Sequence, residues 1–224
     1  MVRAKVRIRF RKTGALRLIS HHDLMRCFER MLRRAGLPFH CTEGFNPKPR
    51  LIFPLPLPLG IIGCREVAEL ELEDDVSAAE VRDRLARCAP AGLEIVDAQR
   101  MDGTKTVHAR LACYRIRVPP DRLDALPQRI AALMDESTCW VERQRPQRRK
   151  LDVRPYLRDL RVLPDALEMD LVVTPGGTAR PEEVLGLLGL GDLLEKGAVF
   201  ERTRLELDDE PALASARVGA PRAD

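Results

Sequence analysis

Several features that would place this chain of 224 residues in a familiar class are missing from it. No stretch approaches the roughly 18 consecutive apolar residues of a membrane span. The first ten residues, MVRAKVRIRF, alternate charged and apolar side chains, whereas a signal peptide needs an unbroken apolar stretch. We therefore expect a cytoplasmic protein with no membrane partner.

Motifs for metals and nucleotides are missing as well. The six cysteines are widely spaced and form no CxxC pair, which argues against a zinc ribbon. In the cytosol we expect them to be free and mostly buried thiols. The four histidines show no ligand spacing, no P-loop is present, and the run GLLGLG follows no predicted strand. The prediction is no metal site and no cofactor.

What the sequence does contain is an uneven distribution of charge. Residues 1–50 hold thirteen Lys or Arg against three acids, a net charge of +10, whereas the whole chain carries +4. Residues 143–150 add five bases without an acid, and acids gather at residues 69–75. This asymmetry predicts a polyanionic partner for one face of the protein.

Hydrophobic periodicity predicts an α+β fold. Apolar residues alternate from Val2 to Phe10, which is typical of a half-buried strand. A helix is expected to begin at Ser20, its N-cap, and to end before Gly36. The order strand–helix–strand–strand–helix–strand then occurs twice along the chain. This order predicts two tandem ferredoxin-like (βαββαβ) units with antiparallel sheets.

The predicted order of strands and helices also gives the expected domain boundaries. Residues 1–100 form an N-terminal unit with a basic strand and a GFNPKP loop, and residues 101–110 form a linker. Residues 111–207 form the C-terminal unit. Residues 208–224 lack periodicity and are predicted to be a disordered tail.

The first strand is the first candidate site. Arg3, Lys5, Arg7 and Arg9 share one face of it, spaced about 6–7 Å apart, and such a row would follow a phosphate backbone. The alternative is a solvated charged face, paired with the acids of residues 69–75 on a neighbouring strand. Aromatic residues are missing from this polar face, which gives no support to base stacking.

The loop of residues 43–50 is the second candidate site. Its prolines and Gly44 make it rigid, and Asn46, Lys48 and Arg50 are the groups that would contact a ligand. The alternative is a packing corner in which Phe45 fills part of the core.

Two further places carry candidate residues. Arg148, Arg149 and Lys150 lie in a predicted hairpin loop, either as a phosphate clamp or as a solubilising loop. His21 and Asp23 lie at a helix N-terminus, and one hypothesis is that they perform general acid–base catalysis on a phosphodiester. The other reading is that Asp23 caps the helix and His21 hydrogen-bonds a loop.

The first part of the chain contains a set of specific motifs. These are RIRF at the start, SHHDLMR at the first helix, RRAGLP at the end of that helix, and then GFNPKP and PLPLPLG. Together with the later KLDVRPYL, these motifs resemble the radical-SAM-linked family, a domain of unknown function found alone or fused behind radical-SAM proteins. Members commonly carry an apolar residue where His22 stands, which leaves His21 as the better candidate.

The resemblance implies partners that the residues alone do not. It implies a separately encoded radical-SAM protein, and RNA or a ribosomal particle. The closely spaced cysteines of a radical-SAM cluster are absent here, so the chain is not expected to be that enzyme. Arg154 is a candidate on the resemblance alone. The full set of candidate nucleic-acid contacts is Arg3, Lys5, Arg7, Arg9, Arg26, Asn46, Lys48, Arg50, Arg148, Arg149, Lys150 and Arg154.

Three functions remain open at this point. The first is an accessory protein that holds RNA for the radical-SAM enzyme in RNA or ribosome-related modification. The second is a metal-independent RNA-processing or RNA-modifying enzyme that uses His21. The third is a protein-docking module that binds the radical-SAM partner through the PLPLPLG segment.

Overall fold

The computed structural model describes residues 4–102, 105–144 and 148–211, and within them the protein has a mixed α+β fold, as predicted. The strands are β1 (Ala4–Lys12), β2 (Leu51–Ile52), β3 (Ile62–Leu72), β4 (Leu93–Met101), β5 (Ala109–Arg117), β6 (Trp140–Arg143), β7 (Arg149–Asp152), β8 (Leu157–Val162), β9 (Ala166–Val172) and β10 (Glu201–Leu207). The helices are α1 (His21–Arg34), α2 (Ala78–Cys88), α3 (Pro120–Leu123), α4 (Leu126–Asp135), α5 (Pro181–Leu187) and α6 (Asp192–Glu195).

One continuous sheet joins the two halves of the chain. Its strands run in the order β4-β1-β3-β10-β5-β9-β8, and the short β2 lies beside β3. Every neighbouring pair is antiparallel except β3 and β10, which are parallel. The strands β6 and β7 form a separate hairpin.

The sequence predicted antiparallel sheets, one for each half, and the single sheet corrects that prediction. The reason is an incomplete edge on β3. The two residues of β2 cover only Glu69 and Leu70, which leaves the start of β3 unpaired on that side. There, Ile62 and Gly63 pair with the start of β10, because an unpaired strand edge is a template for another strand.

The first helix begins and ends as its sequence predicts. Ser20 Oγ accepts a hydrogen bond of 3.2 Å from the backbone N–H of Asp23 and caps α1. Its apolar face is buried against the sheet, where the rings of Phe10, Phe28 and Phe53 pack edge to face. The helix ends before Gly36, whose φ of +60° suits a glycine.

Residues 120–135 form two helices, α3 and α4, rather than one. They are separated at residues 124–125. Pro127 lies in the first turn of α4, and because proline has no N–H, it cannot extend a preceding helix. The chain therefore starts a new helix at that position.

The residues just after β10 were assigned to a disordered tail, and they differ from that expectation. Asp209 and Glu210 lie against β1 and form ion pairs with its arginines. Residues 212–224, the rest of the predicted tail, lie outside the described part of the chain.

Candidate nucleic-acid interface

The basic side chains of β1 are paired with acids rather than presented to solvent. The Lys5 ammonium lies 2.6 Å from a carboxylate oxygen of Glu69 and donates to the Lys105 carbonyl at 2.7 Å. Arg7 donates to Glu69 at 2.9 Å and to Asp209 at 2.6 Å. Lys5 and Arg7 are only 5% and 4% exposed, so their charges are used inside the protein.

The strand register explains this pairing. The antiparallel alignment of β1 and β3 places Arg7 directly opposite Glu69, and opposite charges at facing positions stabilise a sheet. Arg9 forms an ion pair with Glu210. The predicted contact Arg3 lies outside the described residues. For Lys5 and Arg7, the structure therefore matches the alternative of pairing with the acids of residues 69–75.

The pKa of Arg7 reflects the same environment. Burial by itself would lower that pKa, but hydrogen bonds and charge from Asp209 and Glu69 raise it above its ordinary value. The guanidinium thus stays charged, and its counter-charges are already in place.

The residues His21 and Asp23 at the start of α1 point in different directions. The Asp23 carboxylate accepts a hydrogen bond of 2.7 Å from the Ser20 hydroxyl and lies 3.4 Å from Arg26 at the surface. Ser20 holds the Asp23 pKa below its usual range. The half-buried His21 ring instead packs edge to face on Phe53 at 5.2 Å. Within the described residues, no hydrogen bond joins His21 to Asp23.

A buried polar junction lies beneath His21 and joins the two halves. It consists of Lys12 and Glu66 from the first half and Tyr114 and Arg202 from the second. Arg202 is fully buried and donates to Glu66 at 2.8 Å. Lys12 is also fully buried and donates to the Ile19 carbonyl at 2.9 Å.

Arg202 also holds the proline-rich segment in place. Its guanidinium donates to the carbonyl of Leu55 at 2.8 Å and to that of Pro56 at 3.3 Å. The prolines keep this segment out of a strand ladder, and Arg202 supplies the donors for these two carbonyls. The anchored segment presents Leu59 to solvent, with a 64% exposed side chain.

Burial and nearby positive charges lower the pKa of two bases at this place, His21 and Lys12. The pKa of His21 is lowered by burial and by the charges of His22, Lys12 and Arg202. The pKa of Lys12 is lowered by burial and by Arg202, against the opposing effect of Glu66. His21 Nδ1 is buried and has no hydrogen-bond partner among the described residues. A neutral His21 could accept a proton or a hydrogen bond there.

The loop of residues 42–48 is closed at its base and fully exposed at its tip. The Thr42 N–H donates to the Lys48 carbonyl at 2.8 Å, and the Lys48 N–H donates to the Thr42 hydroxyl at 3.1 Å. Phe45 at the tip is completely exposed, so the alternative of a core-filling Phe45 is wrong. Asn46 and Lys48 are exposed beside it.

The neighbouring bases continue this surface. Arg50 is exposed and lies 3.7 Å from Glu71, a distance that leaves a weak ion pair. Lys48 and Arg26 line a small groove of about 140 Å³ between the loop and α1. The structure therefore brings Arg26 together with the loop, which the sequence did not predict.

The hairpin of β6 and β7 presents a second exposed aromatic ring. Trp140 is 61% exposed, and Lys150 lies two pairs along the hairpin, on the same face. Arg148 pairs with Glu142 at the surface. Arg149 and Lys150 are exposed and have no ion-pair partner within the described part of the chain.

Two other basic residues of this region have structural roles. Arg143 is buried and donates to Glu183 at 2.6 Å, which fixes the hairpin to α5. Arg154 donates to three backbone carbonyls, those of Met134, Glu136 and Leu157. Arg154 closes the end of α4 and uses its Nε, Nη1 and Nη2 atoms on these carbonyls, so its predicted phosphate contact lacks geometric support.

The structure also contains no sign of a metal site or a membrane span in the part that it describes. No group of three or more His, Cys, Asp or Glu there has the geometry to hold a metal ion. No described helix is both long and apolar enough to cross a bilayer.

Comparison with known proteins gives one family match. Residues 5–181 match the model of a family described as an uncharacterized protein conserved in bacteria (DUF2344). No curated protein matches the chain. The crystal structure of an unknown protein from Galdieria sulphuraria aligns over 91% of this chain and 98% of its own, at 10% identity and a TM-score of 0.26. A score of that size establishes no shared fold.

Proposed function

The chain belongs to the DUF2344 family of uncharacterized bacterial proteins, and we propose that it is a cytosolic accessory protein that holds RNA for a separately encoded radical-SAM enzyme. The radical-SAM link rests on the resemblance of its motifs. The RNA role rests on the exposed surfaces of the 42–48 loop and the β6–β7 hairpin.

One observation carries the proposal. Among the described residues, the two exposed large aromatic side chains are Phe45 and Trp140, and each lies beside bases without strong ion pairs. A nucleobase can stack on an exposed aromatic ring, and neighbouring lysine or arginine side chains hold the phosphate of the same nucleotide. These are the two elements of single-stranded nucleic-acid binding.

The contact set differs from the row of charges on β1. The residues that support RNA binding are Phe45, Asn46, Lys48 and Arg50 from the loop, Arg26 from α1, and Trp140, Arg148, Arg149 and Lys150 from the hairpin. Lys5 and Arg7 are left out because their charges are neutralised within the sheet.

We further propose that each half is a ferredoxin-like unit. The first half has strand order β4-β1-β3-β2 and the second has β10-β5-β9-β8. Counting only the strands of the large sheet, both halves have the order fourth, first, third, second, with helical segments after the first strand and after the third. In this interpretation, the parallel pairing of β3 with β10 fuses the two units.

Docking to a protein partner is supported by a separate surface. Leu18, Leu59 and Leu194 are exposed and line one groove of about 490 Å³. Leu59 belongs to the PLPLPLG segment that Arg202 anchors. This surface is the part of the chain best suited to bind the radical-SAM partner, and it is separate from the proposed RNA contacts.

A catalytic role for His21 is the second candidate function. The observation in its favour is the buried Nδ1 atom, which has no partner among the described residues, on a ring whose pKa is lowered by burial and by the charges of His22, Lys12 and Arg202. RNA turnover that EDTA leaves intact and His21→Ala abolishes would establish it. Equal turnover by the His21→Ala variant would remove it.

The RNA-binding proposal is tested with a short single-stranded RNA over a salt series. We expect salt-dependent binding, and a loss of about fivefold to a hundredfold in Phe45→Ala and Trp140→Ala, as for other base-stacking side chains. Val96→Ala removes an exposed apolar side chain outside both surfaces and serves as the control. No binding at low salt would overturn the RNA role and leave protein docking.

A further inference from the structure

The arginines of α1 and α2 fall into two groups that differ in their partners. Four of them have an acid beside them. These pairs are Arg26 with Asp23, Arg33 with Glu29, Arg82 with Asp83 and Arg84 with Glu80. The other three, Arg30, Arg34 and Arg87, are exposed and have no acid within ion-pair distance in the described chain.

The three unpaired arginines line the same groove. It has a volume of about 630 Å³ and lies between α1 and the end of α2. Arg30 and Arg34 are one helical turn apart on α1, and Arg87 comes from the last turn of α2. Three like charges around one opening repel each other, so an anion there would relieve that repulsion.

The rest of the groove offers little competition to an anion. Its apolar part includes Leu16, Ile19 and Met31. The acid on its wall is Asp23, whose carboxylate is already used by Ser20 and Arg26. The volume falls within the range of small-molecule sites, about 300–1,000 Å³.

The Cys27 thiol gives a second indication that the arginines converge. Burial raises its pKa, while Arg30 and Arg34 act in the opposite direction through their charges. Both guanidinium groups therefore lie close enough to the groove wall to affect one thiol.

We propose that this groove binds the terminal phosphate of a nucleotide, with the base or ribose against the apolar part. This inference rests on the proposed RNA function and names the chemical group that RNA would present there. A phosphomonoester carries about −1.5 to −2 charges and three acceptor oxygens at pH 7. Three arginines match that group better than a phosphodiester with a single charge, because guanidinium and phosphate form paired, charge-assisted hydrogen bonds. The source is either the phosphorylated end of an RNA or a free mononucleotide.

The test compares one short RNA with a 5′-phosphate, a 3′-phosphate or neither, together with adenosine monophosphate. We expect the chain to bind one phosphorylated RNA at least about tenfold more tightly than the unphosphorylated one. The double variant Arg30→Gln/Arg87→Gln should lose that preference. The matched control Arg33→Gln/Arg82→Gln removes the same charge from the same two helices and should keep it.

The outcomes separate this inference from the RNA proposal. RNA binding without any preference for a phosphorylated end overturns the groove and leaves the RNA role standing. Adenosine monophosphate binding that is lost only in the Arg30/Arg87 variant, without RNA binding, supports the groove and overturns the RNA role. Equal losses in both double variants indicate nonspecific charge attraction and overturn the groove.

Cysteine alkylation locates the bound ligand independently. Cys88 is half-buried on the groove wall, and Cys64 is half-buried on β3 outside it. Saturating adenosine monophosphate or phosphorylated RNA should slow alkylation of Cys88 and leave the rate at Cys64 unchanged. Binding without protection of Cys88 would place the ligand elsewhere and overturn the proposal.

Discussion

The basic row of β1 and the basic groove of α1 and α2 have similar charge in the sequence and opposite environments in the structure. Lys5 and Arg7 are buried and share Glu69, and Asp209 adds a further carboxylate. Arg30, Arg34 and Arg87 are exposed, and no acid in the described chain pairs with them. The comparison shows that a cluster of bases in a sequence locates charge but does not locate charge that is available to a ligand.

The reason for the difference lies in the two kinds of element. A strand base faces whatever residue the neighbouring strand places opposite, and β3 places acids there. A helix base meets an acid three or four residues away only if the sequence supplies one. Arg30 and Arg34 have no such acid in contact, so their charges remain open to solvent.

Among the buried basic residues that pair with acids, the largest loss of stability is expected from Arg202→Met. Removing the guanidinium leaves Glu66 buried without its partner and Leu55 without a donor. We expect the free energy of unfolding to fall by about 3–5 kcal/mol, measured by urea denaturation. Arg115→Met, on β5, removes a 44% exposed side chain that lies 4.0 Å from Glu168 and 3.9 Å from Glu201, and it should cost about 1 kcal/mol or less. A similar loss in both variants would contradict the role of the junction.

The next effect concerns the β1 row itself. Glu69→Gln removes the carboxylate shared by Lys5 and Arg7, while Asp209 still pairs with Arg7. We expect a loss of about 2–3 kcal/mol in the free energy of unfolding and no change in RNA affinity. Glu94→Gln removes an exposed partner of Arg11 and should change stability by less than about 1 kcal/mol. A large fall in RNA affinity for Glu69→Gln would show that β1 contributes to RNA binding.

A pH titration sharpens the comparison at His21. Its folded pKa lies below the ordinary value because of burial and the charges of His22, Lys12 and Arg202. As the pH falls below about 6.5, the unfolded chain takes up a proton that the folded chain does not, so stability decreases down to the folded pKa. The midpoint of thermal unfolding should therefore fall more steeply with decreasing pH in the wild type than in His21→Asn. An unchanged slope in that variant would exclude His21 as the cause.

The smallest change in stability is expected for the exposed arginines that pair with no acid in the described chain. Arg30→Gln and Arg87→Gln remove exposed charges that contact no acid, so the free energy of unfolding should change by less than about 0.5 kcal/mol. Urea denaturation of both variants measures this. A loss above about 1 kcal/mol in either would show that the arginine supports the fold, and would weaken its assignment to a ligand.

Local signals predicted much of the fold. The N-cap of α1 at Ser20, the end of α1 before Gly36 and the strand β1 each follow from a signal only a few residues long, and the structure has all three. The single sheet was not predictable in this way. It depends on how little of one β3 edge the two residues of β2 cover, and neither periodicity nor turn residues report on that.

The candidate site was predicted only in part, for the same reason. The 43–50 loop was identified from its own prolines and bases, and it is exposed. The Arg202–Glu66 pair joins residues 136 positions apart, and Asp209 reaches Arg7 across 202 positions. Such partners leave no local pattern in a sequence, and so the junction was missed and the sequence left open whether the β1 row binds phosphate or pairs with acids. Trp140 was missed because a single aromatic in a short strand is more often part of a core.

The place of β10 in the sheet has a consequence for how the protein is made. The last strand of the described chain inserts between β3 and β5, at the middle of the sheet. During synthesis, β1 to β4 can pair as soon as they are available, whereas the seam between the halves stays open until residues 201–207 leave the ribosome. Folding dominated by such distant pairings is slow, and an exposed β3 edge invites pairing with other chains in the meantime. A nascent chain truncated before β10 is therefore the form of this protein most prone to aggregate.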